Sequence, residues 1–438
     1  MGDNDSLSVG VQKSGGLLQT NDSLSQRPAH TPQSLLAGKR TGMVVFSQYP
    51  SDPRPRRAAD ALLKEQMYVD LICEGDEKSP KREKLGNLEV IRLPIRHRRG
   101  GAISYAYQYA SFLFLSAGIL AWRTLRHRYD LVYVHNMPDI LVMCALVPRL
   151  LGAKVILDQH DPMPELLQTI FAKDQGSFAV RVLRCLEKLS LAYADLVITV
   201  NLACKRIFST RSCRADKIGI VMNTPDEEIF PYRPAGSYRT RGAGDPFVMM
   251  YHGSLVDRNG LELAVDAVAE LIQTVPEAEL RVYGRNTKYL ERVLAKARCL
   301  GIEERVCYLG PKTLEELVRE IETCDVGVIP NPKNTFTEIN TPTRIFEYLV
   351  LGRPVVAPRT TGIQDYFHSD ALLFFEPADA KDLARTLAYA ALHPEEVSAL
   401  AERGQQVYLM HRWRDERKKL IDLVCSVLEK PHRAAIPA

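Results

Sequence analysis

No two of the nine cysteines stand in C-x-x-C spacing, and their number is odd. A zinc ribbon and a disulfide framework are excluded on that ground, leaving reduced, mostly buried thiols in a cytosolic protein as the expectation. No G-x-S-x-G occurs, so the strained nucleophile turn of a serine hydrolase is absent. Charge of one sign is scarce: 57 Lys and Arg stand against 53 Asp and Glu, a net +4. That balance makes no electrostatic case for nucleic acid, though a local basic patch can still serve an anionic ligand or a membrane. Residues 1–41 lack both apolar periodicity and the charged start and apolar core of a secretory leader, so a disordered tail is expected. Asp3 and Asp5 flank Asn4 in a D-x-D pattern, but in such a tail the pattern carries little weight as a metal site.

A chain of 438 residues, 46% hydrophobic and 25% charged, suits two soluble domains. Apolar runs at Met43–Phe46, Val69–Cys73, Leu131–Val134, Lys154–Leu157, Leu196–Val200 and Ile218–Met222 read as strands, and helical patterns such as Arg57–Gln66 separate most of them. This alternation predicts a first parallel α/β domain over residues 42–224. A stretch rich in Pro, Gly and charge, residues 225–246, reads as a linker. The alternation restarts over residues 247–410, with strands expected at Phe247–Tyr251, Glu279–Tyr283, Val306–Leu309, Val326–Ile329 and Pro354–Ala357 and helices at Leu261–Thr274 and Leu314–Thr323. Residues 411–438 read as a C-terminal helix that can return to the first domain, followed by a tail. The fold class expected is α/β, with two doubly wound Rossmann-like domains facing a cleft, where ligands bind beyond the carboxyl ends of the strands.

Gly100–Trp122 contains no charged residue and is flanked by Arg92, Arg96, Arg98 and Arg99 before it and Arg123, Arg126 and Arg128 after it. Three readings stand: a buried or half-buried domain helix, a helix lying on a membrane surface, and a span. Basic flanks of the same sign favour the surface over the span.

The densest chemical signal is residues 340–358. Thr341 suits a helix N-cap and Pro342 a first helical turn. A helix start after a strand presents free N–H groups and a positive dipole end, a ready phosphate site. Arg344 in that turn can reach a diphosphate. Glu347, three residues on, shares its face and can accept two hydrogen bonds from a ribose diol.

The run TPTRIFEYLVLGRPVVAP, residues 341–358, resembles the donor-site signature of retaining glycosyltransferases of family 4, which have the GT-B fold. Similar pieces occur at residues 49–54, 134–139, 158–161, 251–255, 280–284 and 306–310, so the resemblance covers nearly the whole chain after residue 41. It implies that Glu347 binds the ribose of a sugar nucleotide and that Arg258 and Arg344 neutralise its diphosphate. Gly253 and Ser254 let the backbone approach the phosphates, and Thr341 and Thr343 complete the donor contacts. His160 faces the transferred sugar, while Arg56, His135 and Asp139 line the acceptor side. Two positions depart from the family pattern. Its first glutamate falls on Ile339, with Glu338 one place away as the candidate for that catalytic role. The lysine before the glycine of the phosphate loop is replaced by Asn259 beside Arg258.

Structural readings stand beside these. Arg344 can be a solvated helix residue, Glu347 a partner for a local arginine, and His135 and His160 hydrogen-bonded core histidines. Arg54, Arg56 and Arg57 can be an ordinary charged helix start. Basic residues are poor company for a helix N-terminus, however, and their presence hints at an anionic partner.

The expected function is transfer of a hexose-type sugar from a nucleotide diphosphate sugar to a glycan or lipid-linked acceptor, with retention, in cell-envelope or exopolysaccharide synthesis. A sugar-nucleotide epimerase of the same fold and a non-catalytic sugar-nucleotide-binding module are the alternatives. No metal and no cofactor are expected. The expected partners are the donor, the acceptor and, peripherally, a membrane, with no nucleic acid; the expected location is the cytoplasm, including the inner membrane face.

Overall fold

The computed structural model describes residues 35–76, 79–95, 102–236, 242 and 244–430. Asp3, Asn4, Asp5 and the tail up to residue 34 lie outside the described residues, as do Arg96, Arg98, Arg99 and residues 431–438. Eight strands form the first sheet: β1 (Arg40–Gln48), β2 (Tyr68–Glu74), β3 (Arg82–Leu85), β4 (Leu88–Leu93), β5 (Leu131–His135), β6 (Lys154–Gln159), β7 (Leu196–Thr199) and β8 (Ile218–Ile220). Their order is β3-β4-β2-β1-β5-β6-β7-β8, parallel throughout except for the β3–β4 hairpin. Six strands form the second sheet: β9 (Phe247–His252), β10 (Ala278–Tyr283), β11 (Val306–Tyr308), β12 (Val326–Val328), β13 (Val355–Pro358) and β14 (Leu373–Phe375). Their order is β11-β10-β9-β12-β13-β14, all parallel. The two Rossmann-like domains expected are therefore present. Both faces of each sheet are covered by helices, which is why β6, KVILDQ, is buried along its whole length.

In each sheet the chain reverses its direction of travel once, between β1 and β5 and between β9 and β12. Such switch points open a crevice beyond the strand ends. Hydrogen bonds that cross from one domain to the other join residues near these ends, so the two crevices meet in one cleft.

Two strand pairings escaped the sequence reading. The β3–β4 hairpin is disguised because LEVIRL carries Glu89 and Arg92. Both charges are neutralised where they stand, Glu89 by Arg123 at 2.6 and 2.9 Å and Arg92 by Glu83 at 2.9 Å. β14 is only three residues long. The helix expected from Arg57 spans Pro53–Lys64 instead, because the Asp52 side chain accepts from the Arg54 amide at 3.3 Å and Pro53 takes the first turn.

One face of the first sheet is covered by the helices Pro53–Lys64 and Trp413–Glu429, whose Leu62, Ile421 and Val424 pack with Met43 and Val45. The C-terminal helix thus sits on the first domain. Helix Ala102–Arg126 covers the other face and buries Phe112, Ser116, Leu120 and Thr124. Its outer side is exposed, so it is a half-buried domain helix. Among the described residues no helix is long and apolar enough to cross a membrane. Residues 225–236, read as linker, wrap onto the second domain: Phe230 is buried there, and Gln405 Nε2 donates to the Arg233 carbonyl at 2.6 Å. All nine cysteines are free; four are buried and Cys185 and Cys299 are exposed, fewer buried than expected.

Candidate active site

Helix Thr343–Val350 begins where the chain returns from the carboxyl end of β12. Pro342 occupies its cap position and no side chain caps it, so the amides of Thr343 and Arg344 are unclaimed, while that of Ile345 donates to the Pro342 carbonyl at 3.1 Å. Thr341, expected as cap and donor contact, is engaged elsewhere. Its hydroxyl donates to the Gly362 carbonyl at 2.6 Å and accepts from Asn201 Nδ2 of the first domain at 3.1 Å. Thr343 is half-buried in the first turn.

Arg344 folds back over the end of β9. Its Nη1 donates to the His252 carbonyl at 3.0 Å, its Nη2 lies 3.5 Å from Asn331 Oδ1, and its guanidinium carbon stands 4.6 Å from the Tyr251 ring centre. These contacts park the charge beside Gly253, which has φ +117°. The following loop is braced from below, since Tyr251 Oη and Asn259 Nδ2 both donate to the Ser254 carbonyl at 2.9 and 2.8 Å. Asn259, standing in the lysine's place, therefore has a holding role. Backbone packs on backbone here: a Cβ on Gly260 would lie 2.1 Å from the Pro330 carbonyl oxygen, and one on Gly284 2.3 Å from that of Gly253. Only glycine fits either place. Ser254 is left exposed and Arg258 half-exposed above the loop.

One turn further along the helix, Glu347 Oε2 lies 3.4 Å from His252 Nε2. Burial pushes the Glu347 carboxyl up to about 7, against the pull of Arg344 and of Arg57. Burial, reinforced by Arg344, pushes His252 down to about 3, so the imidazole is neutral, and its buried Nε2 has no hydrogen-bond partner. The sequence does not single out His252; its place at the end of β9 is the signal that points to it. Glu338 is differently placed. Its Oε1 accepts from the Thr361 amide at 3.1 Å and hydroxyl at 2.6 Å, while Oε2 is buried without a partner.

The first-domain wall is built around Asp158 at the end of β6. Its carboxylate receives Arg54 Nε at 3.1 and 3.2 Å, Arg54 Nη2 at 2.6 Å and the Tyr133 hydroxyl at 2.8 Å. Burial alone would raise this carboxyl, but the guanidinium of Arg54 outweighs burial and holds it well below the usual carboxylate range. His135 and His160 meet above it, Nδ1 to Nε2, at 3.0 Å. His135 is fully buried and burial keeps it neutral. His160 is fixed further by the bond from its amide to Asn136 Oδ1 at 2.8 Å, and its side chain is 17% exposed toward the cleft.

The acceptor-side expectation needs correction at two residues. His135 is interior, and so is Asp139, whose Oδ1 accepts from Asn136 Nδ2 at 3.1 Å and Gln159 Nε2 at 2.9 Å. Burial pushes Asp139 up to about 7, with Glu187 adding to the shift. Both residues support the wall from behind and do not line it. Arg56 is half-exposed in the first turn of its helix, whereas Arg54 and Arg57 are buried. Arg57 donates to Asn223 and Thr224 where the chain crosses between domains, and lies 5.1 Å above the Trp413 ring.

His135, Asp158 and His160 offer three ligand atoms within 4.8 Å of one another, spacing that would suit a cation. Asp158 is already saturated by Arg54 and Tyr133, however, and a metal would face that guanidinium at close range. The set fits an ion-pair network better than a metal centre.

The walls touch directly. Asn201 Nδ2 donates to the Ile339 carbonyl at 2.8 Å, Thr169 Oγ1 to Asn334 Oδ1 at 3.0 Å, and the Leu202 amide to the Tyr366 hydroxyl at 2.9 Å. Arg206 and Asp365 form an ion pair at 2.6 Å. None of these cross-domain pairs could be read from the sequence, because each joins residues more than 130 positions apart.

Comparison with known proteins fits this geometry. Residues 52–224 match the family described as "Glycosyl transferase 4-like domain" and residues 246–391 that described as "Glycosyl transferases group 1". The D-inositol 3-phosphate glycosyltransferase of Corynebacterium urealyticum is 28% identical over 229 residues, 49% of this chain and 53% of that protein. The chain thus spans about half the length of that relative. Among solved structures, sucrose-phosphate synthase from Thermosynechococcus elongatus superposes with a TM-score of 0.73 at 17% identity, covering 89% of this chain and 98% of that one. Anabaena HepE, solved in complex with UDP, superposes with a TM-score of 0.63 at 15% identity, covering 89% of this chain and all of that one.

Proposed function

We propose that this chain, which belongs to the family 4 glycosyltransferases of GT-B fold, moves a hexose-type sugar from a nucleoside diphosphate sugar to a hydroxyl acceptor. The observation that carries the reading is the first turn of helix Thr343–Val350. It places a cation, Arg344, against the glycine loop at Gly253 and an unsatisfied carboxylate, Glu347, one turn away. A diphosphate and a vicinal diol are complementary to that pair. Arg344, Arg258 and the free amides near Gly253 and Thr343 would stabilise the diphosphate as it leaves. Ionised Glu347 would accept both ribose hydroxyls.

His160 supplies a polar contact from the opposite wall. His135 is neutral, and placing its single proton on Nδ1 leaves a lone pair, not an N–H, at its orphaned Nε2. Nδ1–H then donates to His160 Nε2, and His160 presents Nδ1–H to the sugar. Transfer with retention, by attack on the face from which the diphosphate departs, suits a site where Glu338 is tied to Thr361 and not poised as a nucleophile. The acceptor class we favour is a phosphorylated polyol or sugar. The relatives named for inositol 3-phosphate and sucrose phosphate support it, as does half-exposed Arg56 beside the cleft. A lipid-linked or glycan acceptor, and with it a role in envelope synthesis at the inner membrane face, is the second arm of the same test.

Calorimetry with UDP, GDP and ADP, and with their glucose conjugates, should show one clear winner whose affinity collapses in Glu347→Ala. Unchanged affinity in that variant would remove the donor assignment. The chosen donor, incubated with inositol phosphates, hexose phosphates or a lipid-linked sugar, should give an acceptor-dependent product of unchanged anomeric configuration. Conversion of the donor without any acceptor would establish the epimerase instead, and tight binding with no turnover the non-catalytic module.

A further inference from the structure

Most of the large apolar side chains that stand exposed among the described residues fall between Tyr107 and Leu189, on one side of the first domain. Those of the second domain are scattered and few. The side in question is the helix layer formed by Ala102–Arg126, the short helix Leu146–Leu150 and Phe178–Tyr193, which pack beside one another over the same face of the sheet. Along the first helix Tyr107, Phe114, Trp122 and Leu125 recur at spacings of seven, eight and three, which puts them on one outward stripe. Tyr107 and Leu125 are each 75% exposed and Phe114 73%; Leu150 on the neighbouring helix is 76% exposed. A stripe this apolar turned to water has an unmet partner.

Charge says which partner. Helix Ala102–Arg126 contains no acidic residue and neither does Leu146–Leu150, while the single glutamate of Phe178–Tyr193, Glu187, is fully buried. Exposed Arg126, Arg128, Arg181 and Lys188 carry no carboxylate partner among the described residues. Arg126 lies flat on Trp122, its guanidinium carbon 3.8 Å from the ring centre. Aromatic rings with cations above them and leucines between them match the boundary of a bilayer, where rings sit at headgroup level and basic side chains reach outward. A protein partner of ordinary composition would not need a face so depleted of acid. Because no described helix can span a bilayer, the contact is in the plane of the surface.

We infer that this helical side of the first domain is a docking surface for an anionic lipid bilayer. The inference stands on the surface alone and does not depend on the chemistry of the cleft. The docking face and one wall of the cleft belong to the same domain, so docking would hold the first-domain wall at the membrane and leave the second domain to carry the donor.

The test uses the full chain in co-sedimentation with phosphatidylcholine vesicles, with and without phosphatidylglycerol. Binding should require the anionic lipid and weaken severalfold on raising the salt. Phe114→Glu with Leu125→Glu should weaken binding by about tenfold or more while leaving the thermal midpoint unchanged, because both side chains are already in water. Arg126→Glu with Arg128→Glu removes charge without touching the apolar stripe and should weaken binding severalfold. Trp122 is one of two tryptophans, so vesicles should blue-shift the emission, and Trp122→Phe should abolish that shift. Equal binding to neutral vesicles would overturn the anionic assignment. Undiminished binding by the Phe114/Leu125 variant would overturn the face. A dimer that this variant dissociates, with no vesicle binding by the parent chain, would assign the face to a second copy.

Discussion

On the first-domain wall the Asp158 carboxylate receives two nitrogens of Arg54 and the Tyr133 hydroxyl, whereas across the cleft Glu347 has only a 3.4 Å approach from a neutral imidazole. Asp158 is fully buried and Glu347 keeps 17% of its side chain exposed, yet desolvation has opposite outcomes at the two. Asp158 is held ionised by its guanidinium partner, while Glu347 is pushed up to about 7. The neighbours repeat the contrast: His160 is bonded through its ring and its amide, and His252 Nε2 has no partner. A carboxylate satisfied before any ligand arrives serves to hold geometry. A wall with unmet groups gains most when a ligand supplies the missing partners.

The sharpest way to break that comparison is to exchange the roles by mutation. Asp158→Asn leaves Arg54 buried without a carboxylate and should destabilise the protein by about 3–5 kcal/mol. Thermal unfolding should show it, with nucleotide affinity of the folded fraction changed less than about twofold. Glu347→Ala should do the reverse, weakening nucleotide binding by about a hundredfold through lost charge-assisted bonds. Glu347→Gln should additionally stabilise the empty protein by on the order of 2 kcal/mol at pH 8. The sign follows from a folded-state pKa above the unfolded one: the penalty is absent below the ordinary glutamate range and complete above about 7. A destabilised Glu347→Gln would mean that the carboxylate is satisfied after all.

Smaller effects sharpen the contrast. Nucleotide affinity should rise about tenfold between pH 6 and pH 8, because the ribose needs the ionised carboxylate and Glu347 titrates at about 7 in the empty site. The same titration in Asp158→Glu should be unchanged in midpoint. Asn201→Ala removes the bonds to Ile339 and Thr341 and should speed nucleotide dissociation about fivefold, equivalent to roughly 1 kcal/mol, as read by stopped flow.

The sequence made the strand and helix alternation, both sheets and the stretch from Thr341 to Pro358 legible, because hydrophobic period and helix-start residues are local signals. It misled where a side chain's partner is far along the chain. Thr341 has the composition of a cap, but its hydroxyl is claimed by Gly362 and Asn201. Asp139 looks like a cleft acid, but the chain turns inward after β5 and seats it against Gln159. Of three neighbouring arginines two are buried, Arg54 by Asp158, more than a hundred residues away, and Arg57 by Asn223 and Thr224. Glu338 and Ile339 differ by one place in register, and only the bond to Thr361 shows where that carboxylate points.

Arg57 is a first-domain side chain fastened to the crossing segment at Thr224, yet its charge is felt at Glu347 in the second domain. If the jaws swing apart, that charge recedes, which raises the carboxyl, while water reaching the carboxylate relieves the burial that raised it, so its titration would move with the opening. The carboxyl group would then serve as a gauge of hinge angle, readable from its carbon-13 resonance.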